Sequence, residues 1–195
     1  MEHKKLVGLV FVDRFADWEF GLLSGSAAEW FGGRVVALSP VAGTLRSMGG
    51  LKLTPDRGVE PEENADLDGL AVIGSDTWAE QDAPDISPLL HATLARGAIV
   101  GGICAGTLAL ARAGLFEGRR HTSNGAGWLQ SKIGDYPGSA LYQDVPYAVR
   151  DAHIVSASGA APGTFATSFL EALYPEQAGQ VAEMRGFIAQ EFQTA

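Results

Sequence analysis

The run 6-LVGLVFV-12 is apolar at every position and rich in β-branched residues, and shorter runs of the same kind return at 69-GLAVI-73 and 98-AIVGGI-103. A strand without polar alternation has to be buried on both faces, which requires helices above and below its sheet. The intervening segments supply them. Residues 17–31 carry a helical pattern with Asp17 as N-cap, a helix is expected at about 85–96, and another begins directly after Cys104. Residues 34–39 form a further strand, and 44–54 (TLRSMGGLKLT) read as a hairpin turning at Gly49-Gly50. Beyond them the pattern predicts a short helix near 126–132 and a strand pair, 145–150 and 152–157, around a turn at Asp151. A helix opens at Pro162, a favoured first-turn residue, and an amphipathic helix covers 175–192. The alternation of strand and helix predicts an α/β fold with a doubly wound, mostly parallel sheet.

A length of 195 residues reads as one domain, 1–195, large enough for a sizeable core. The 23 acidic residues outweigh 14 basic ones to give a net charge of −9, which disfavours nucleic acid and anionic membranes as partners. No run reaches the length of a membrane span. The start resembles a signal peptide only briefly, because Asp13 and Arg14 end the apolar run and no small-residue cleavage site follows. A single cysteine forms no internal disulfide, so the cytoplasm is the expected compartment. No His/Cys/Asp cluster has metal-ligand spacing, and 101-GGICAG-106 matches neither a dinucleotide nor a Walker loop, so no metal or cofactor is expected.

That single cysteine lies in 102-GICAG-106, of the form G-x-C-x-G, between a buried strand and a helix. This is the strand–turn–helix context of a nucleophile elbow, in which a sharp turn exposes the side chain at the carboxyl end of the sheet. Gly102, Ala105 and Gly106 are small enough for that turn, and the N-terminus of the next helix favours a thiolate. Cys104 is therefore a candidate nucleophile, although a lone cysteine is more often a small buried hydrophobe.

The elbow, its continuation 112-RAGLFEGRRHTSN-124, the start 10-VFVDRFADWEF-20 and the later 155-VSASGAAPGTFA-166 resemble the ThiJ/PfpI family over nearly the whole chain. That superfamily includes a parkinsonism-associated redox protein, PfpI-type intracellular proteases and class I glutamine amidotransferase domains. The nearest branch carries intracellular protease/amidase names. The resemblance implies a flavodoxin-like fold and a homodimer. It also implies that Glu19, in 16-ADWEF-20, reaches the elbow cysteine with a proton on its carboxyl, so that the two titrate as a pair. The loop 73-IGSDTW-78 stands where the family has a Gly-Gly turn, which makes Gly74, Ser75 and Ala105 backbone donors around a developing oxyanion. Read without the resemblance, Glu19 is an acid complementing a helix dipole and 73–78 a plain strand-end turn.

One family feature is missing. The histidine that many members carry after the elbow helix aligns with Asn124, and His121, three residues earlier, should face the other way along an extended segment. His3, His91 and His153 read as ordinary surface or core histidines. Asn124 can position or stabilise but takes no proton, so Glu19 is the one base in view and Cys–His proteolysis lacks support. Trp18, Trp78 and Trp128 flank the assigned loops and are candidates for a pocket wall, or else for core or dimer contacts. The leading expectation is a cysteine-dependent enzyme acting on a small electrophilic carbonyl, amide or nitrile-like group. The alternatives are a redox-sensing thiol oxidised without turnover and a binding module with an unreactive thiol.

Overall fold

The computed structural model describes residues 4–190, so His3 and the last two residues of the expected 175–192 helix lie outside the described residues. The chain runs β1 (Leu6–Val10), α1 (Gly21–Glu29), β2 (Arg34–Leu38), β3 (Leu45–Arg46), β4 (Lys52–Leu53), β5 (Gly69–Val72), α2 (Ser87–Ala95) and β6 (Ile99–Ile103). It continues as α3 (Gly106–Arg112), α4 (Trp128–Ile133), β7 (Val149–Asp151), β8 (Ile154–Ala157), α5 (Pro162–Leu173) and α6 (Ala178–Ala189). Six strands pair in the order β2-β1-β5-β6-β8-β7, parallel except for β7, while β3 and β4 form the expected separate hairpin.

Every residue of β1, β5, β6 and β8 is buried, as unbroken apolar runs require. Alternate residues serve opposite cores. Val10, Leu70, Val72 and Val100 pack with Leu89, Leu90, Leu108 and Leu110 of α2 and α3. Val7, Leu9, Ala71 and Val155 pack with Leu23, Phe165, Phe169 and Met184 of α1, α5 and α6. Full burial of such side chains stabilises by about 1.5–3 kcal/mol each, enough to fix register against a one-residue slip. No helix among the described residues is long and apolar enough to cross a membrane.

Two local expectations are corrected. Asp17 is not an N-cap: α1 starts four residues later, and the Asp17 carboxylate accepts the Gly49 N–H at 2.7 Å, tying the hairpin turn to the first βα loop. The β7–β8 turn falls at Ala152, which takes φ 51°, and β7 begins at Val149 rather than 145. Asp151 ends β7 and accepts the N–H of Arg120 at 3.0 Å.

Candidate active site

Because β1, β5, β6 and β8 are parallel neighbours, the loops leaving their carboxyl ends meet at one edge, the usual ligand side of an open α/β sheet. Cys104 follows β6 there with φ 53°, the left-handed region, which costs a non-glycine residue about 1–2 kcal/mol. Its N–H donates to Ala157 O at 2.9 Å, and its carbonyl accepts the Thr107 N–H at 3.2 Å and the Thr107 hydroxyl at 2.5 Å. The Thr107 hydroxyl also meets Ser123 Oγ at 2.7 Å. A Cβ at Gly106 would collide with the backbone of Val72, so the close approach of α3 to β5 requires glycine there.

Glu19 arrives from the loop after β1. It is not a solvated helix-dipole acid: it is 1% exposed and lies ahead of α1. Its Oε2 accepts the Gly74 N–H at 2.7 Å. Oε1 is buried without a hydrogen-bond partner among the described residues, and the carboxyl interacts with the Cys104 thiol. A Cβ at Gly159 would lie 2.9 Å from Cys104 Sγ and 3.2 Å from Glu19 Oε1, so sulfur and oxygen face the same small space.

Burial raises the Glu19 carboxyl from 4.5 to about 7, against the opposing bonds from Gly74 and Cys104. Burial, and then the Glu19 charge, push the Cys104 thiol up to about 11, while the Asn124 amide and Ala105 N–H pull it down. The high thiol value belongs to a sulfur facing a carboxylate that has already ionised. Both groups hold their protons above their ordinary values, and the ionised carboxylate opposes ionisation of the thiol. The N-terminus of α3 does favour the thiolate, through the Ala105 N–H, but desolvation and the neighbouring carboxylate act more strongly the other way.

Asn124 stands where the histidine was missed. Its Oδ1 accepts the Gly159 N–H at 3.0 Å, which fixes the amide orientation and turns Nδ2 toward Cys104 Sγ at 3.2 Å. Trp18, half-exposed, donates from its indole to Gly159 O at 2.9 Å and so braces the same loop. Ser75 is buried, its hydroxyl donates to Asp13 O at 2.6 Å, and its backbone N–H has no acceptor among the described residues. Gly74 is excluded as an oxyanion donor, because its N–H is taken by Glu19.

The other candidates lie apart. His121 is fully buried and stacked on Phe116 at 4.1 Å between ring centroids, with Nε2 bonded to Tyr136 OH at 2.7 Å and Nδ1 to Arg119 O at 2.9 Å. Both ring nitrogens are used, and among the described residues no hydrogen bond or ring contact joins it to Cys104. Trp78 is a core residue with its indole N–H on Ile73 O, and Trp128 packs half-buried against the same core. Sequence reasoning missed Gly159, a glycine after a buried strand, and Tyr142, whose hydroxyl accepts the Ser123 and Gly125 N–H groups.

The chain resembles known proteins over most of its length. The model of the DJ-1/PfpI family matches residues 4–172. The chain is 31% identical over 183 residues to the uncharacterized protease YoaZ of Bacillus subtilis (strain 168), covering 89% of this chain and 85% of that protein. It is 32% identical over 176 residues to the uncharacterized protease YdeA of the same organism, covering 86% and 82%. Among solved structures, a DJ-1 superfamily protein from Agrobacterium tumefaciens aligns with a TM-score of 0.88 at 33% identity, over 97% of this chain and 100% of that one.

Proposed function

The chain belongs to the DJ-1/PfpI family, and from that premise we propose that it is an enzyme in which Cys104 attacks a small electrophilic carbonyl or amide-like substrate and Glu19 moves the proton. The observation that carries this reading is the buried Oε1 of Glu19, free of other partners and set against the sulfur. The working form holds one proton between the two groups, on sulfur or on oxygen. As the S–C bond forms, the carbonyl π pair moves onto oxygen, where the N–H groups of Ser75 and Ala105 would stabilise it. Glu19 then delivers the shared proton, giving a hemithioacetal from an aldehyde or releasing the amine from an amide. In the amide case water cleaves the thioester, with the Glu19 carboxylate taking its proton and the thiol restored. His121, bonded at both nitrogens, supplies no base, so this reading favours small activated substrates over peptides.

The test is turnover of small aldehydes and activated amides by the wild type, Cys104→Ala and Glu19→Gln. Activity should vanish in the first variant and collapse in the second; unchanged turnover in Cys104→Ala would refute the proposal. A second reading has support from the same donors. Reaction of the thiol with a peroxide gives a sulfenic acid and water, and a second equivalent gives a sulfinic acid and water. The Asn124 amide and Ala105 N–H would hold the new oxygens. Mass spectrometry after mild peroxide treatment separates the readings: stoichiometric sulfinate without turnover favours the sensor.

A further inference from the structure

We infer that the Tyr142 hydroxyl is a positioning group for the Cys104 site, holding Asn124 on the sulfur by accepting the peptide N–H on either side of it. The inference rests on reading Cys104 as the reactive thiol. Tyr142 OH accepts the Ser123 N–H at 3.2 Å and the Gly125 N–H at 3.0 Å. Asn124 lies between these two bonds, so its Cα is pinned from both sides, and its amide then spans Cys104 Sγ and the Gly159 N–H. The tyrosine is itself well anchored. The Gln143 N–H donates to His121 O at 2.7 Å, residues 121 and 142 form a bridge, and the Tyr142 ring stands edge-on to His121 at 5.6 Å and 82°. His121 is held in turn by Phe116 and Tyr136. The buried histidine cluster is thus a platform that carries Tyr142 toward the sulfur.

A phenylalanine at 142 keeps the ring and removes the acceptor of both N–H groups. The loop then relaxes and Asn124 no longer donates to the sulfur, a bond that favours the thiolate. The titratable groups involved are Glu19 beside the sulfur, and His121 and Tyr136 beside Tyr142.

The experiment measures the rate of iodoacetamide alkylation of Cys104 at pH 8 in the wild type, Tyr142→Phe, Asn124→Ala and the double variant. Tyr142→Phe and Asn124→Ala should each alkylate about tenfold more slowly, and the double variant no more slowly than Asn124→Ala alone. A Tyr142→Phe rate equal to wild type, or a double variant slowed by the product of the two effects, overturns the inference. Hydrogen exchange of the Ser123 and Gly125 amides in the unmodified protein gives a second check that needs no variant: protection of both supports the inference, and exchange as fast as in an open loop overturns it. Glu19→Gln, run in parallel, keeps the two readings apart, because a Cys104 rate indifferent to Glu19 rejects the shared proton and leaves the Tyr142 comparison intact.

Discussion

Two buried titratable groups, His121 and Glu19, are treated in opposite ways. His121 is fully withdrawn from water, but both ring nitrogens have partners and the ring is stacked, so nothing on it remains to react. Glu19 is buried to the same degree, yet one oxygen is left without a conventional partner and turned toward a sulfur held in a strained backbone conformation. A satisfied buried polar group stabilises a fold, whereas an unsatisfied one stores free energy that chemistry can use. Burial alone does not mark a site; incomplete satisfaction beside a nucleophile does.

The sharpest way to break this contrast is Glu19→Gln. Activity should fall by about 10²- to 10⁴-fold, the usual range for a lost general acid–base. Stability should move the other way. Because the folded-state value is raised from 4.5 to about 7, the contribution of Glu19 is most favourable below 4.5 and is lost as pH rises through 7. The gap corresponds to about 3 kcal/mol, so thermal melts at pH 8 should place the Gln variant above the wild type. A Gln variant that is both inactive and less stable at pH 8 would contradict the strained-site picture.

His121→Ala should do the reverse. Losing the packed ring and leaving Tyr136 without its partner costs about 3 kcal/mol, read by chemical denaturation, while Cys104 alkylation in the folded protein slows no more than in Tyr142→Phe. Burial holds His121 below its ordinary value of 6.5, so its contribution is present above 6.5 and is lost as pH falls below it. Replacing His121 should therefore flatten the acid side of the stability profile, just as Glu19→Gln flattens the fall in stability between 4.5 and 7.

Gly159→Ala probes the site without replacing a titratable group. Its Cβ would press on Sγ from 2.9 Å, costing about 1–3 kcal/mol by overpacking and cutting alkylation and turnover together. The smallest effect belongs to Trp18→Phe. It removes one half-exposed bond to Gly159 O, about 1 kcal/mol or less, and should raise KM or soften the alkylation profile without abolishing either.

The parts of this molecule legible in the sequence are those written locally. Unbroken apolar runs gave the buried strands, the G-x-C-x-G corner gave the elbow, and Gly49-Gly50 gave the hairpin, because each depends on residues within one turn or strand. Glu19 was reached only through the resemblance, since nothing in 16-ADWEF-20 says that its carboxyl crosses to a glycine 55 residues away. The role of Gly159 was hidden for the same reason: its partners are Trp18, 141 residues distant, and Asn124, 35 residues distant. Asp17 carried a good capping side chain, but a tertiary acceptor role toward Gly49 prevailed over the local one. The opposing pull on the thiol was not legible, because helix-end donors are visible in sequence and desolvation is not.

The claim on which the rest depends is that Cys104 and Glu19 share a proton. It is tested most directly by following Cys104 alkylation against pH in the wild type and in Glu19→Gln. The wild type should rise in two steps, near 7 and toward 11, and the variant in a single step between them. One identical step in both proteins, close to the free-thiol value of about 8.5, would mean that the carboxyl and the sulfur are neighbours without being a pair.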